Sequence, residues 1–183
     1  MNEIITEKNY PVHWLWVLKP TTFSVSALII LISMFLGSNH QGGIAEIIVY
    51  IALLGFFIII NLILVSSERE NFHYSIGENF LTVEQGIFSK ERRYIPYGVI
   101  QNIFIEQDLF DRIFGLATVI IENASQGSED LATLQQRKRF ATIGFFGNKV
   151  IIPGLTKANA ETLKGIILQK IKENPIEDNQ SGL

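Results

Sequence analysis

The chain of 183 residues contains no cysteine. That excludes a disulfide, a thiolate zinc site and a cysteine nucleophile. Histidine is scarce too: His13, His40 and His73 stand far apart, and no two have metal-ligand spacing on one element. Charged residues make up 18% of the chain and the net charge is −3. Apart from Lys8 and Lys19, the cations all lie after Ser66, where acidic residues balance them. A near-neutral domain lacks the basic face that displaces counterions from nucleic acid, so no nucleic-acid partner is expected. G-x-S-x-G, H-E-x-x-H, a P-loop and G-x-G-x-x-G are all missing. With its carboxylates scattered, the sequence offers no site for an enzyme, a cofactor or a metal.

What the sequence has in excess is apolar length near its start. Ile44 to Val65 is a run of 22 residues with one acid, Glu46, close to its beginning. A hydrocarbon core of ~30 Å needs about 20 helical residues, and this run meets that alone. Thr21 to Gly37 has 17 residues and must borrow length from LWVLKP before it. SNHQGG between them can only be a tight loop. The pattern predicts a transmembrane helical hairpin over 14–65, with spans of about 15–37 and 44–65. No A-x-A-like cleavage site follows the first run, which argues against a signal peptide. Trp14 and Trp16 suit the headgroup interface, and Lys19 can keep its ammonium in water while its stem lies on apolar surface. Glu46 reads as an outer-interface residue rather than a proton relay. Lys8, Lys19 and Arg69 flank the hairpin on one side and the loop has no cation, so the positive-inside rule puts both termini in the cytoplasm of a multi-pass cell-membrane protein.

The rest divides into a polar lead-in at 1–13, a domain at 66–175 and a polar tail at 176–183. After SSEREN the apolar period changes from helical to strand-like. Strands are expected at 72–76, 80–86, 90–96, 99–107 and 116–123, with one short helical turn at 108–115. The interval 124–139 reads as a loop, and 140–154 as one or two short strands. Thr156 is the N-cap of a last helix whose Leu163, Ile166, Ile167 and Ile171 form one stripe. The expected fold class is therefore a membrane α-helical hairpin plus an α+β, mainly β domain. That domain is a small curled antiparallel sheet, or partly open barrel, of about six or seven strands capped by an amphipathic C-terminal helix.

Particular motifs sharpen this. They are L-T-V-x-x-G at 81–86, R-x-I-P at 93–96, I-Q at 100–101, Gln107, Arg112 and G-L-A-T-V at 115–119. In order and spacing, roughly residues 12–173 resemble the bacterial membrane-flanking PH-like (pleckstrin-homology-like) family, in which such domains follow pairs of transmembrane helices. The resemblance implies a fold and a membrane location more than an activity. On physical grounds these residues read as structural. Pro96 ends a strand. Gly86 and Gly115 suit turns. Gln101, Gln107 and Arg112 form a polar cluster or satisfy loop carbonyls, a structural role rather than a ligand site. PH domains that bind phosphoinositides carry basic residues in the first hairpin loop, whereas here that loop is Gly77-Glu78-Asn79, which argues against such binding. Arg92-Arg93 and Arg137-Lys138-Arg139 are either headgroup contacts, at about 1 kcal/mol each near an anionic surface, or ordinary solvated charges.

The function expected is non-enzymatic: a cytoplasmic PH-like interaction domain presented at the membrane face, as scaffold or subunit of a membrane complex. A lipid-contacting cell-envelope stress sensor and a transport accessory subunit are the alternatives. The partners expected are the bilayer, a membrane protein and a second copy of this chain.

Overall fold

A computed structural model describes residues 5–38, 44–124 and 143–175. Two helices, α1 (Leu18–Ser38) and α2 (Ile44–Glu70), form an antiparallel pair. Ile29 and Ile32 line a groove with Ile47 and Ile51 towards one end, and Val12 and Val17 join the same core cluster as Val65 at the other. Pro20 falls in the first turn of α1, where the missing N–H has no helical partner to lose. Thr21, Ser24 and Ser33 return their hydroxyls to backbone carbonyls one turn earlier, which lets polar side chains sit on an apolar helix. Among the described helices, Ile47–Glu70 is long and apolar enough to cross a membrane by length and composition. Within the fully described residues the first apolar stretch, Trp14–Ile30, is shorter, so among those residues this measure gives one span rather than two.

Among the described residues there are eight strands, where about six or seven were expected; those after the helices come in the expected order. The first sheet is β1 (Ile5–Thr6), β2 (His73–Ile76), β3 (Phe80–Gln85) and β4 (Glu91–Pro96), paired in that order. The second is β5 (Ile100–Glu106), β6 (Leu116–Asn123), β8 (Lys149–Thr156) and β7 (Gly144–Phe146), again in spatial order. Every pairing is antiparallel. Alternation sets which side faces inward: Tyr74, Ile76, Leu81 and Val83 are buried, while their neighbours along the strands are not. Pro96 cannot extend the ladder. The chain instead turns through a short 3-10 segment, Tyr97–Val99, and begins the second sheet. Tyr97 is buried there and its hydroxyl donates to the carbonyls of Gly77 (2.9 Å) and Phe80 (3.2 Å), tying the crossover to the first hairpin. The result is two four-stranded sheets rather than a closed barrel.

The open side is covered by α4 (Lys157–Glu173), capped by the Thr156 hydroxyl, which accepts from the Asn159 N–H at 3.3 Å. Ala160, Leu163 and Ile167 are fully buried against the second sheet, with Ile166 and Ile171 packed on the rim. The expected stripe is the one that faces the core. Between the two sheets, the Gln85 carbonyl oxygen Oε1 accepts the backbone N–H of Phe145 at 2.7 Å. This side chain crosses the seam and fills the space that a side chain at Gly144 would need.

The amino-terminal segment departs from expectation. The lead-in is not separate from the domain: Ile5 and Thr6 add the edge strand β1 beside β2, and Val12 belongs to the core. Trp14 is 58% exposed, as an interfacial ring would be, but Trp16 is 1% exposed and lies inside the domain. The reason lies in β8. Between Ala117–Leu155 and Val119–Ile152 the ladder slips, and Gly154 turns to φ +66°. A β-bulge with a left-handed glycine bends the strand and leaves backbone uncovered. Trp16 occupies that seat; a Cβ on Gly154 would stand 2.6 Å from the Trp16 Cβ. The Gly154 carbonyl accepts the His13 N–H at 2.7 Å, closing the segment onto the bulge.

Candidate functional site

The end of the domain from which the helices emerge gathers most of its chemistry. A six-residue helix, α3 (Leu109–Phe114), is held by a capping box. The Asp108 carboxylate accepts the Asp111 N–H at 2.8 Å, and the Asp111 carboxylate accepts the Asp108 N–H at 3.4 Å. Gly115 closes the helix in left-handed backbone. Reciprocal capping accounts for the two acids locally, as their places at the start of a short helix suggest. It leaves out their long-range partner. Lys19, in the first turn of α1, lies 2.6 Å from Asp108 Oδ2 and 3.1 Å from Asp111 Oδ2. Its ammonium is thus bound between two carboxylates rather than held in open water. Asp111 is 1% exposed and its Oδ1 has no hydrogen-bond partner among the described residues. Burial favours the protonated form of Asp108, but the Asp111 N–H and Lys19 outweigh it and hold this carboxyl below its ordinary value.

The other helix is joined to the domain as directly. Arg69 Nε donates to the Val12 carbonyl at 3.0 Å, and β2 begins three residues after α2 ends. Beside this junction lies a cleft of about 490 Å³ between Leu64 and Glu68 of α2, the β3–β4 turn, and Ile143 and Phe145. Gly86 shapes the turn: at φ +115° a Cβ would overlap the Ser89 carbonyl. The turn projects Phe88, which is 94% exposed. Beside the start of α1, α3 projects Leu109 and Ile113, exposed by 76% and 77%.

The residues singled out in the sequence do not form one site. Gln107 gives its Nε2 to the Leu116 carbonyl at 2.6 Å, a local brace. Gln101 sits exposed at the bulge in β5, and Arg112 is exposed on α3. Gln101, Gln107 and Arg112 share no hydrogen bond among the described residues. Arg93 pairs with Glu91 at 2.6 Å and lies 4.4 Å over the Phe145 ring, so it braces the seam between the sheets. Arg92, on the opposite face, pairs with Glu84 at 2.6 Å. Pro96 ends β4. Arg137, Lys138 and Arg139 lie outside the described residues, as does most of the expected loop at 124–139. Among the described residues no group of three or more His, Asp or Glu could hold a metal ion. Sequence reasoning missed Gln85, Trp16, Gly154 and the Lys19 contact, because each acts on a residue more than fifty positions away.

Two facing antiparallel sheets with one C-terminal helix over the open side define a PH-like domain. The Bacterial PH domain family model matches residues 25–171. The chain belongs to that family. No curated protein and no solved structure matches it. A PH-like domain points to a protein-interaction or lipid-binding module.

Proposed function

We propose that this is a non-enzymatic integral membrane protein whose two helices cross the bilayer as a hairpin and hold the PH-like domain against the cytoplasmic face. There the domain serves as scaffold or subunit of a membrane complex. One observation carries the reading: the junction between helices and domain has no linker. Trp16 is seated on Gly154, Lys19 on Asp108 and Asp111, and Arg69 on the Val12 carbonyl. An interaction module fixed this way has one orientation relative to the hairpin, which favours docking to a partner in the same membrane. A shallow apolar groove of about 230 Å³ between the helices supports this. Ile29, Ile32, Ser33, Ile47, Ile51 and Leu54 line it, and they suit a further helix packed without charge.

The test has two arms. A single cysteine placed at 38–43 should react with an impermeant reagent from outside intact cells; reaction only after lysis refutes the topology. Purification of the full chain in mild detergent should retain a stoichiometric membrane protein. Retention of anionic lipid with no protein partner would instead favour a lipid sensor.

A further inference from the structure

Three large apolar side chains at the helix end of the domain have no cover among the described residues: Phe88, Leu109 and Ile113. They lie on two separate projections. Phe88 tips the β3–β4 turn, in the cleft shared with Leu64 of α2, whose own side chain is exposed. Leu109 and Ile113 are one turn apart on α3, which Lys19 ties to the first turn of α1. Both projections therefore sit beside the helix ends, Phe88 by α2 and Leu109 and Ile113 by the start of α1, and α2 is itself uncovered at Phe56, Ile59, Ile60 and Ile63. Such side chains standing singly are ordinary on a soluble surface, but here they stand beside a helix long and apolar enough to cross a membrane.

We infer that the domain is itself seated in the membrane interface, with Phe88 beside α2 and Leu109 and Ile113 beside α1 reaching the acyl boundary. The occupant of this face is the lipid bilayer. The inference rests on the proposed membrane crossing of α2 and adds to it, since an anchored domain could equally stand clear of the lipid. The neighbouring groups fit such a depth. Lys90 next to the turn and Arg112 on α3 are both exposed. Each can lift its charge to the headgroups while its stem lies among apolar atoms. Trp14, exposed beside the start of α1, matches the ring of an interfacial belt. Contacts from Phe88, from α3 and from Trp14 set how deep the domain sits, which the junction alone leaves open.

Because the chain has no cysteine, each site can be labelled singly without background. Full-length Phe88→Cys, Ile113→Cys, Ile59→Cys and Tyr94→Cys proteins, spin-labelled and reconstituted in vesicles of neutral and anionic phospholipid, would be compared for collision with oxygen and with a water-soluble nickel chelate. All four positions are exposed, so labelling leaves the core intact. The ratio of oxygen to nickel collisions at 88 and 113 should exceed that at 94 several-fold and approach that at 59. Lipid-like values at 59 with water-like values at 88 or 113 would overturn the inference and leave the anchor standing. A water-like value at 59 would overturn the anchor, and the inference with it.

Discussion

Lys19 is the cation whose loss the fold should feel most. Asp111 is buried, its Oδ1 has no partner among the described residues, and its Oδ2 is compensated by Lys19 at 3.1 Å. Replacing Lys19 with Met keeps the apolar stem and removes the charge. Breaking a buried pair by removing one partner costs about 3–5 kcal/mol, because the other charge is stranded. Here the Lys19 side chain keeps 31% of its surface and Asp108 keeps 51%, so water can screen part of the loss. The expected cost is therefore lower, about 2–3 kcal/mol. For a chain of this size each kcal/mol moves the midpoint by about 2–4 °C, so Lys19→Met should lower Tm by roughly 4–12 °C. Intrinsic fluorescence in detergent reports the transition, since Trp16 leaves its buried seat as the junction opens. The decisive variant is Lys19→Met with Asp111→Asn. The amide keeps the shape and the capping acceptor but not the stranded charge, so the double variant should recover more than half of the loss. If Lys19→Met shifts Tm by less than about 2 °C, or if Asp111→Asn adds its own loss instead of restoring stability, the argument from an uncompensated buried carboxylate is wrong.

Gly154→Ala should destabilise by about 2 kcal/mol or more, since left-handed backbone penalises a Cβ and this one would press on Trp16; a fall in Tm with red-shifted Trp emission checks it. Gln85→Leu removes the acceptor of the Phe145 N–H and should cost about 1–2 kcal/mol, seen as faster amide exchange along β7. Burial, with Glu173 nearby, pushes the Tyr97 phenol up to about 12. Its folded value thus lies above its unfolded one, so its contribution is intact below about pH 10 and declines as pH rises towards 12. Alkaline unfolding should be less steep in Tyr97→Phe, and an unchanged slope would contradict this.

Most of the domain was legible because its signals are local. Alternation at 72–76 and 80–85 set the inward face of two strands. The helical turn at 108–115 closed at Gly115, and Thr156 with Leu163 and Ile167 announced the last helix and its stripe. The family motifs mark the same places: Gly86 shapes a turn, Pro96 ends a strand, Gln107 holds a carbonyl. Their spacing is set by backbone geometry, which explains why they can be read without converging on one site.

The junction was illegible for the opposite reason. A tryptophan before an apolar helix reads as an interfacial ring, and nothing near Trp16 says otherwise. Its place is decided by a slipped register at Gly154, far along the chain. Lys19 likewise reads as a flank charge until α3 brings two carboxylates to it. Both contacts join the start of α1 to the body of the domain, β1 joins the lead-in to the first sheet, and Arg69 ties the end of α2 to the lead-in. A domain merely tethered to its helices would need none of these. Four independent ties at one junction, each costing side-chain freedom, make sense when the orientation of the domain against the hairpin matters. That is the condition under which Phe88, Leu109 and Ile113 can meet the same bilayer together.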